Sequence, residues 1–187
     1  IISAVLTGLS QHHTLFGFFN WFSLMPLILV LTQLKKYKEV FIYSFIWGFV
    51  YSFISVFWIA FNNGVNLTVG IISMIATVFI LCSNTVIVGL IWFKVKSIFK
   101  QYNIFLLPFI WVSVEYIRSY GVLGFPWINL ANSQTGFLYL IQNSEYVGIY
   151  GISFWIVIIN CLLLQIVSRK SKEDIILFLS FFILPFI

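Results

Sequence analysis

Charged residues are scarce in this sequence. Lysine and arginine number 10 and aspartate and glutamate 5, so charged side chains make up 8% of the 187 residues, against roughly a quarter in soluble globular domains. So few charged residues cannot cover the surface of a water-soluble protein of this size. The net charge of +5 lies in short clusters and does not form a surface that would bind nucleic acid. Hydrophobic residues, by contrast, make up 61% of the chain. The composition predicts an integral membrane protein that binds no nucleic acid.

Residues with nucleophilic or metal-binding chemistry are also few. Cys82 and Cys161 both lie inside apolar runs, where a thiol is packed and unreactive. The neighbouring His12 and His13 supply too few ligands for a metal ion. The sequence has neither a phosphate-binding loop nor a nucleophile elbow. We expect no metal, no other cofactor and no catalytic residue in this chain.

The charged residues mark the boundaries of long apolar runs. A helix needs about 20 apolar residues to cross a hydrocarbon core about 30 Å thick. The sequence therefore predicts an all-α polytopic membrane helix bundle of about seven spans, with Pro26 inside the second span and an Asn62-Asn63-Gly64 turn after the third. The approximate positions are 1–10 (truncated), 15–34, 39–61, 66–93, 101–119, 146–168 and 175–187 (truncated).

Basic residues cluster in every second predicted loop. Nine of the ten lie at residues 35–38, 94–100 and 169–172. Because loops rich in lysine and arginine stay in the cytoplasm, we place these three loops there. The segment 119–145 then lies on the opposite side of the membrane.

Glu115 and Arg118 are charged residues inside a predicted span. If Lys100 marks the cytoplasmic boundary, Glu115 lies roughly 23 Å along the helix, in the far leaflet. Their i,i+3 spacing lets the two side chains meet. Two interpretations remain open: an ion pair at the helix end, with Arg118 reaching the interface, or a polar cluster that faces a cavity.

The segment 119–145 has no charge before Glu145, yet glycine, proline and several amides interrupt it. Irregular backbone at membrane depth is tolerated only where protein buries it or water reaches it. We therefore predict a re-entrant or interfacial loop in which Phe125, Pro126 and Trp127 shape a lipid-facing cleft. Glu145 begins the sixth span beside the possible capping residues Asn143 and Ser144.

Several short motifs occur in an order that resembles the membrane part of the apolipoprotein N-acyltransferases. They are, in chain order, WFSLMPL from residue 21, WGF from 47, FWI from 57, E-x-x-R from 115, GFPW from 124, NSQ from 132 and GIYGISF from 148, followed by Asn160.

The resemblance implies an enzyme of the bacterial inner membrane that transfers an acyl chain from a phospholipid to the N-terminal diacylglyceryl-cysteine of a lipoprotein. In that family, a Glu-Lys-Cys triad lies in a nitrilase-like domain outside the membrane, and the cysteine carries the acyl group as a thioester. Because the chain begins at Ile1 and stops inside an apolar run, we expect a fragment whose catalytic domain follows residue 187 and which is inactive alone. The candidate substrate-binding residues are Glu115, Arg118, Phe125, Pro126, Trp127 and Glu145.

Two other functions fit the composition. One is a related membrane domain that belongs to a polyprenol-phosphate mannosyltransferase system. The other is a transporter or lipid-binding module without chemistry of its own, although the chain lacks the paired broken helices in two similar halves that are typical of transporters.

Overall fold

The computed structural model describes residues 1–99, 103–121 and 124–186. Within these ranges the regular elements are α-helices and short 3₁₀ helices, and none is a strand. The chain therefore has the all-α fold that the sequence predicted. The α-helices are α1 (Ile2–Leu9), α2 (Met25–Gln33), α3 (Tyr37–Val56), α4 (Leu67–Ile98), α5 (Asn103–Arg118), α6 (Leu138–Gln142), α7 (Ser144–Arg169) and α8 (Lys172–Ile183).

Four helical segments in the described ranges are long and apolar enough to cross a membrane. They are Thr14–Gln33, Tyr37–Phe61, Leu67–Ile98 and Ser144–Arg169. These segments overlap the apolar runs for which spans were predicted at 15–34, 39–61, 66–93 and 146–168, and the chain is a polytopic membrane bundle.

The other three predicted spans correspond to shorter helices. Helices α1, α5 and α8 contain 8, 16 and 12 residues. The spans at 1–10, 101–119 and 175–187, and hence the total of seven, stay predictions. Lys100, residues 101 and 102, and Ile187 lie outside the described residues.

The third and fourth spans form the expected hairpin. Asn62 Oδ1 accepts a hydrogen bond from the Gly64 N–H at 3.0 Å, which closes the predicted turn. Asn66 Oδ1 accepts from the Thr68 N–H at 2.8 Å and so caps α4. The two helices then pack closely because Gly89 faces Ser44, whose Oγ would lie 2.3 Å from a Cβ at position 89.

The second span is not the continuous helix that we expected. A 3₁₀ helix, Thr14–Trp21, ends before α2 begins at Met25. Pro26 lies in the first turn of α2 and not in its interior. A proline in this position is tolerated because the first turn of a helix leaves its N–H groups without intrahelical partners.

Asn160 of α7 satisfies the backbone at this break. Its Oδ1 accepts from the N–H groups of Leu24 and Met25 at 2.9 and 3.0 Å. Its Nδ2 donates to the carbonyl of Asn20 at 2.7 Å and to that of Ile156 at 2.9 Å. One fully buried amide thus replaces the hydrogen bonds that a continuous helix would have made.

Helix α7 lies at the centre of the bundle. Every residue from 152 to 165 is buried except Phe154 and Leu163. Its first turn is offset by a kink at Gly148, which has φ 66° and ψ 177°. Gly148 does not serve close helix packing, because a Cβ there would meet nothing within 4 Å; the backbone conformation alone requires glycine.

Lys96 of α4 stabilises the end of α2. Its Nζ donates to the carbonyls of Leu31 and Leu34 at 2.7 and 2.9 Å and lies 4.8 Å from the ring centroid of Phe93. Carbonyls at the C-terminal end of a helix receive no hydrogen bond from within that helix. The positive charge of Lys96 also complements the negative end of the helix dipole.

We expect Lys96→Met to destabilise the protein by about 1 to 2 kcal/mol, because it leaves these carbonyls without a charged donor. Thermal unfolding in detergent measures the effect. Lys94→Met is the matched control, since Lys94 is exposed on the same helix. Equal effects of the two substitutions would contradict the assigned role of Lys96.

Candidate functional site

The predicted loop enters the helical bundle. Residues 124–136, here called the inserted segment, contain two 3₁₀ helices, Pro126–Ile128 and Leu130–Gln134. Residues 128–131, 133 and 134 are buried. Protein therefore covers the irregular backbone in the middle of the segment, as its position in an apolar chain requires.

Glu115 of α5 holds the middle of the inserted segment. Its side chain is 4% exposed. The Oε1 atom accepts from the N–H of Leu130 at 2.9 Å and from Nε1–H of Trp111 at 3.2 Å. The carboxylate thus satisfies the first N–H of a 3₁₀ helix, which has no partner within that helix.

Arg118 binds the same segment independently. Its Nη2 donates to Asn129 Oδ1, and its backbone carbonyl accepts from the N–H of Phe125 at 3.2 Å. In the part of the chain that the structure describes, Glu115 and Arg118 form no ion pair within 4.0 Å; the pair that meets this distance is Lys36–Glu39. The ion pair, one of the two interpretations that the sequence left open, is not formed, and each side chain instead contacts the inserted segment separately.

Three further residues hold the inserted segment, and the sequence analysis missed the role of each. Tyr51 Oη donates to the carbonyl of Ile128 at 2.6 Å. Gln11 Nε2 donates to Tyr51 Oη at 3.3 Å. Ser153 Oγ accepts from the N–H of Ala131 at 3.1 Å. Of these three residues, only Ser153 belongs to a motif that the sequence analysis singled out, GIYGISF.

The end of the inserted segment packs against the broken second span. Asn20 Nδ2 donates to Ser133 Oγ at 2.8 Å, and Gln134 Nε2 donates to the carbonyl of Gly17 at 2.9 Å. Trp21 Nε1 donates to Gln134 Oε1 at 2.8 Å. The NSQ motif therefore supplies the polar contacts between two pieces of non-α backbone.

The outer part of the inserted segment presents an exposed tryptophan on a fixed backbone. Trp127 is 71% exposed, and Pro126 beside it is also exposed. Asn132 Nδ2 donates to the carbonyls of both residues, at 2.9 Å to Pro126 and 2.8 Å to Trp127. Phe125 is half-buried and packs on the core. Tyr116 and Tyr120, at the nearby end of α5, are 49% and 62% exposed.

Comparison with known proteins decides the family. Residues 3–162 match the family described as the apolipoprotein N-acyltransferase N-terminal domain. The chain belongs to this family. An apolipoprotein N-acyltransferase of Geobacter metallireducens is 30% identical over 93% of this chain and 34% of its own length. One of Thermotoga maritima is 30% identical over 91% of this chain and 35% of its own length. One of Chlorobaculum tepidum is 27% identical over 83% of this chain and 28% of its own length.

This chain spans about a third of the length of these N-acyltransferases. It corresponds to the N-terminal domain of the family. Membership favours the acyltransferase interpretation over a mannosyltransferase-linked domain or a transporter. Within the described ranges, no group of three or more His, Cys, Asp or Glu is placed to hold a metal ion. Cys82 and Cys161 are both buried.

Glu145 lies apart from the other candidate residues of this N-acyltransferase domain. It is exposed in the first turn of α7, beside Tyr139, Tyr146 and Pro185. The expected caps are not formed, since the Asn143 side chain makes no hydrogen bond to the N–H groups of the first turn. Asn143 Nδ2 donates instead to the carbonyl of Pro185 at 2.6 Å. The structure thus brings Glu115, Arg118, Phe125, Pro126 and Trp127 together and leaves Glu145 elsewhere.

Proposed function

We propose that this chain is the membrane domain of an enzyme that moves an acyl chain from a phospholipid to the N-terminal diacylglyceryl-cysteine of a lipoprotein. The chain provides membrane anchoring and lipid access. The nucleophile belongs to the part of the N-acyltransferases that this chain does not cover. Family membership, together with the four apolar helices, supports this assignment.

The proposed location is the bacterial inner membrane, with about seven crossings. The basic loops at 35–38, 94–100 and 169–172 lie in the cytoplasm, because lysine and arginine are retained there. The inserted segment and Trp127 then lie toward the periplasm, where an exposed tryptophan suits the membrane interface.

One observation supports Arg118 as the contact for the lipid phosphate. Arg118 has no carboxylate within 4.0 Å among the described residues, although its side chain is half-buried. A guanidinium without an ionic partner is a strong site for a phosphate group, which it binds through charge-assisted hydrogen bonds. Tyr116, Tyr120 and Trp127 supply exposed aromatic surface for the rest of the lipid.

We expect Arg118→Ala in the complete enzyme to lower the rate of acyl-enzyme formation from a phospholipid about 10- to 100-fold, the loss expected for one charged hydrogen bond. The acyl-enzyme is trapped and quantified by mass spectrometry. A neutral acyl ester without phosphate serves as the second donor. Its rate is expected to change little, because Arg118 has no phosphate to bind there.

Two variants separate lipid recognition from folding. Asn129→Ala breaks the contact with Arg118 but keeps its charge. Arg169→Ala removes another arginine, which is exposed at the end of α7. The proposal requires Arg118→Ala to impair phospholipid use more than either variant. If Asn129→Ala matches Arg118→Ala with both donors, Arg118 serves only to hold the inserted segment.

A further inference from the structure

Among the residues that the structure describes, three buried polar atoms around the inserted segment have no hydrogen-bond partner within 3.5 Å. They are Glu115 Oε2, Arg118 Nε and Asn129 Nδ2. The other side-chain atoms of these residues connect them closely, since Arg118 Nη2 donates to Asn129 Oδ1 and Glu115 Oε1 accepts from the next residue in the segment, Leu130. Leaving such groups unpaired costs about 1 to 3 kcal/mol each. One acceptor and two donors are thus left over in the same region.

A small cavity borders two of these three residues, Glu115 and Arg118. Its volume is about 20 Å³, and its walls include Glu115 and Arg118 from α5, Tyr51 from α3 and Ile128 from the inserted segment. Helix α4 closes the cavity with Leu81, Asn84, Thr85 and Val88. A buried water needs roughly 10 to 15 Å³ and two to four polar partners. The cavity meets the volume condition, and its walls include the polar residues Glu115, Arg118, Asn84 and Thr85.

We propose that this cavity is the site of a single ordered water that bridges Glu115 and Arg118. The water donates one hydrogen to Glu115 Oε2 and accepts from Arg118 Nε. Its second hydrogen points to the polar side of α4, where Asn84 and Thr85 line the cavity.

The bridging water has a consequence for the inserted segment. Glu115 holds Leu130 and Arg118 holds Asn129, so the water joins two otherwise separate anchors into one network. In surroundings of low polarity, a completed network of this kind is more rigid than its separate contacts. The bridging water requires neither acyl transfer nor lipid binding by Arg118.

A structure of the protein in a lipid nanodisc, at a resolution that shows ordered waters, tests the site directly. We expect a solvent peak within roughly 2.7 to 3.2 Å of both Glu115 Oε2 and Arg118 Nε. A direct contact between the carboxylate and the guanidinium, or a well-ordered cavity without a peak, overturns the proposal.

Filling the cavity tests the consequence. Val88→Leu adds one methylene to a buried residue of the cavity wall, and Val86→Leu adds the same group at a buried position of α4 outside the wall. We expect Val88→Leu to remove the solvent peak and to accelerate amide hydrogen exchange at residues 128–131 about fivefold or more relative to Val86→Leu. Equal exchange in the two variants, measured by mass spectrometry, contradicts a bridging water.

Discussion

Asn160→Leu is expected to lower the free energy of unfolding by about 2 to 4 kcal/mol, since each buried N–H or C=O left unpaired costs about 1 to 3 kcal/mol. Leucine has the same number of side-chain heavy atoms and the same branching as asparagine, but it cannot accept from Leu24 and Met25 or donate to Asn20. The N–H of Leu24 and the carbonyl of Asn20 then lose their side-chain partner at a break in a span. The N–H of Met25 keeps only its longer hydrogen bond to the carbonyl of Phe22, at 3.2 Å. Thermal or denaturant unfolding of the purified protein in detergent measures the loss.

The control for Asn160→Leu is the adjacent position. Cys161 is also fully buried on α7, and Cys161→Ala removes packing without removing a hydrogen bond to the broken span. We expect Cys161→Ala to cost about 1 kcal/mol, close to one buried methylene. If Asn160→Leu is no more destabilising than Cys161→Ala, Asn160 does not stabilise the break between Asn20 and Met25.

Gly17→Ala is the second substitution for which we expect a large effect, about 2 to 3 kcal/mol of destabilisation. A Cβ at position 17 would lie 2.1 Å from the carbonyl oxygen of Ser133. The obstacle is backbone, so no side-chain rotation relieves it. The 3₁₀ helix Thr14–Trp21 and the inserted segment would have to separate, which also strains the contact between Gln134 and Gly17.

Gly64→Ala is the matched control. Gly64 lies in the exposed turn before α4, and a Cβ there would approach only Asn62 Oδ1, at 3.4 Å. We expect a change within about 0.5 kcal/mol, as is usual for surface substitutions. Comparable melting temperatures for Gly17→Ala and Gly64→Ala would show that the two non-α segments do not pack backbone to backbone.

The helices were predictable because their signal is local. A run of about 20 apolar residues between charges suffices to predict a span, and Tyr37–Phe61 and Leu67–Ile98 lie where these runs occur. The turn at Asn62 was predictable for the same reason, since its residues favour a turn whatever packs against them. The apolar sequence of the broken second span, however, carried no sign that Asn160 would replace its missing hydrogen bonds.

The candidate site was predictable only as a location. Glu115, Arg118 and the GFPW motif stand out in an apolar chain, and the structure brings them together. Their spacing suggested an ion pair, because i,i+3 residues are neighbours on a helix. The observed partners, Leu130 and Asn129, lie 15 and 11 residues away along the chain. No local rule selects them.

Composition and periodicity by themselves determined that this chain is an all-α membrane protein, where its long helices lie and which residues are unusual in it. Those properties depend on the transfer of each segment from water to lipid, which is a sum over neighbouring residues. The tertiary structure alone decided that the second span breaks, that Asn160 satisfies the break and that Glu115 and Arg118 each bind the inserted segment. Buried polar groups take whichever partner the fold brings within hydrogen-bond distance, and that distance is set by the packing of the whole bundle.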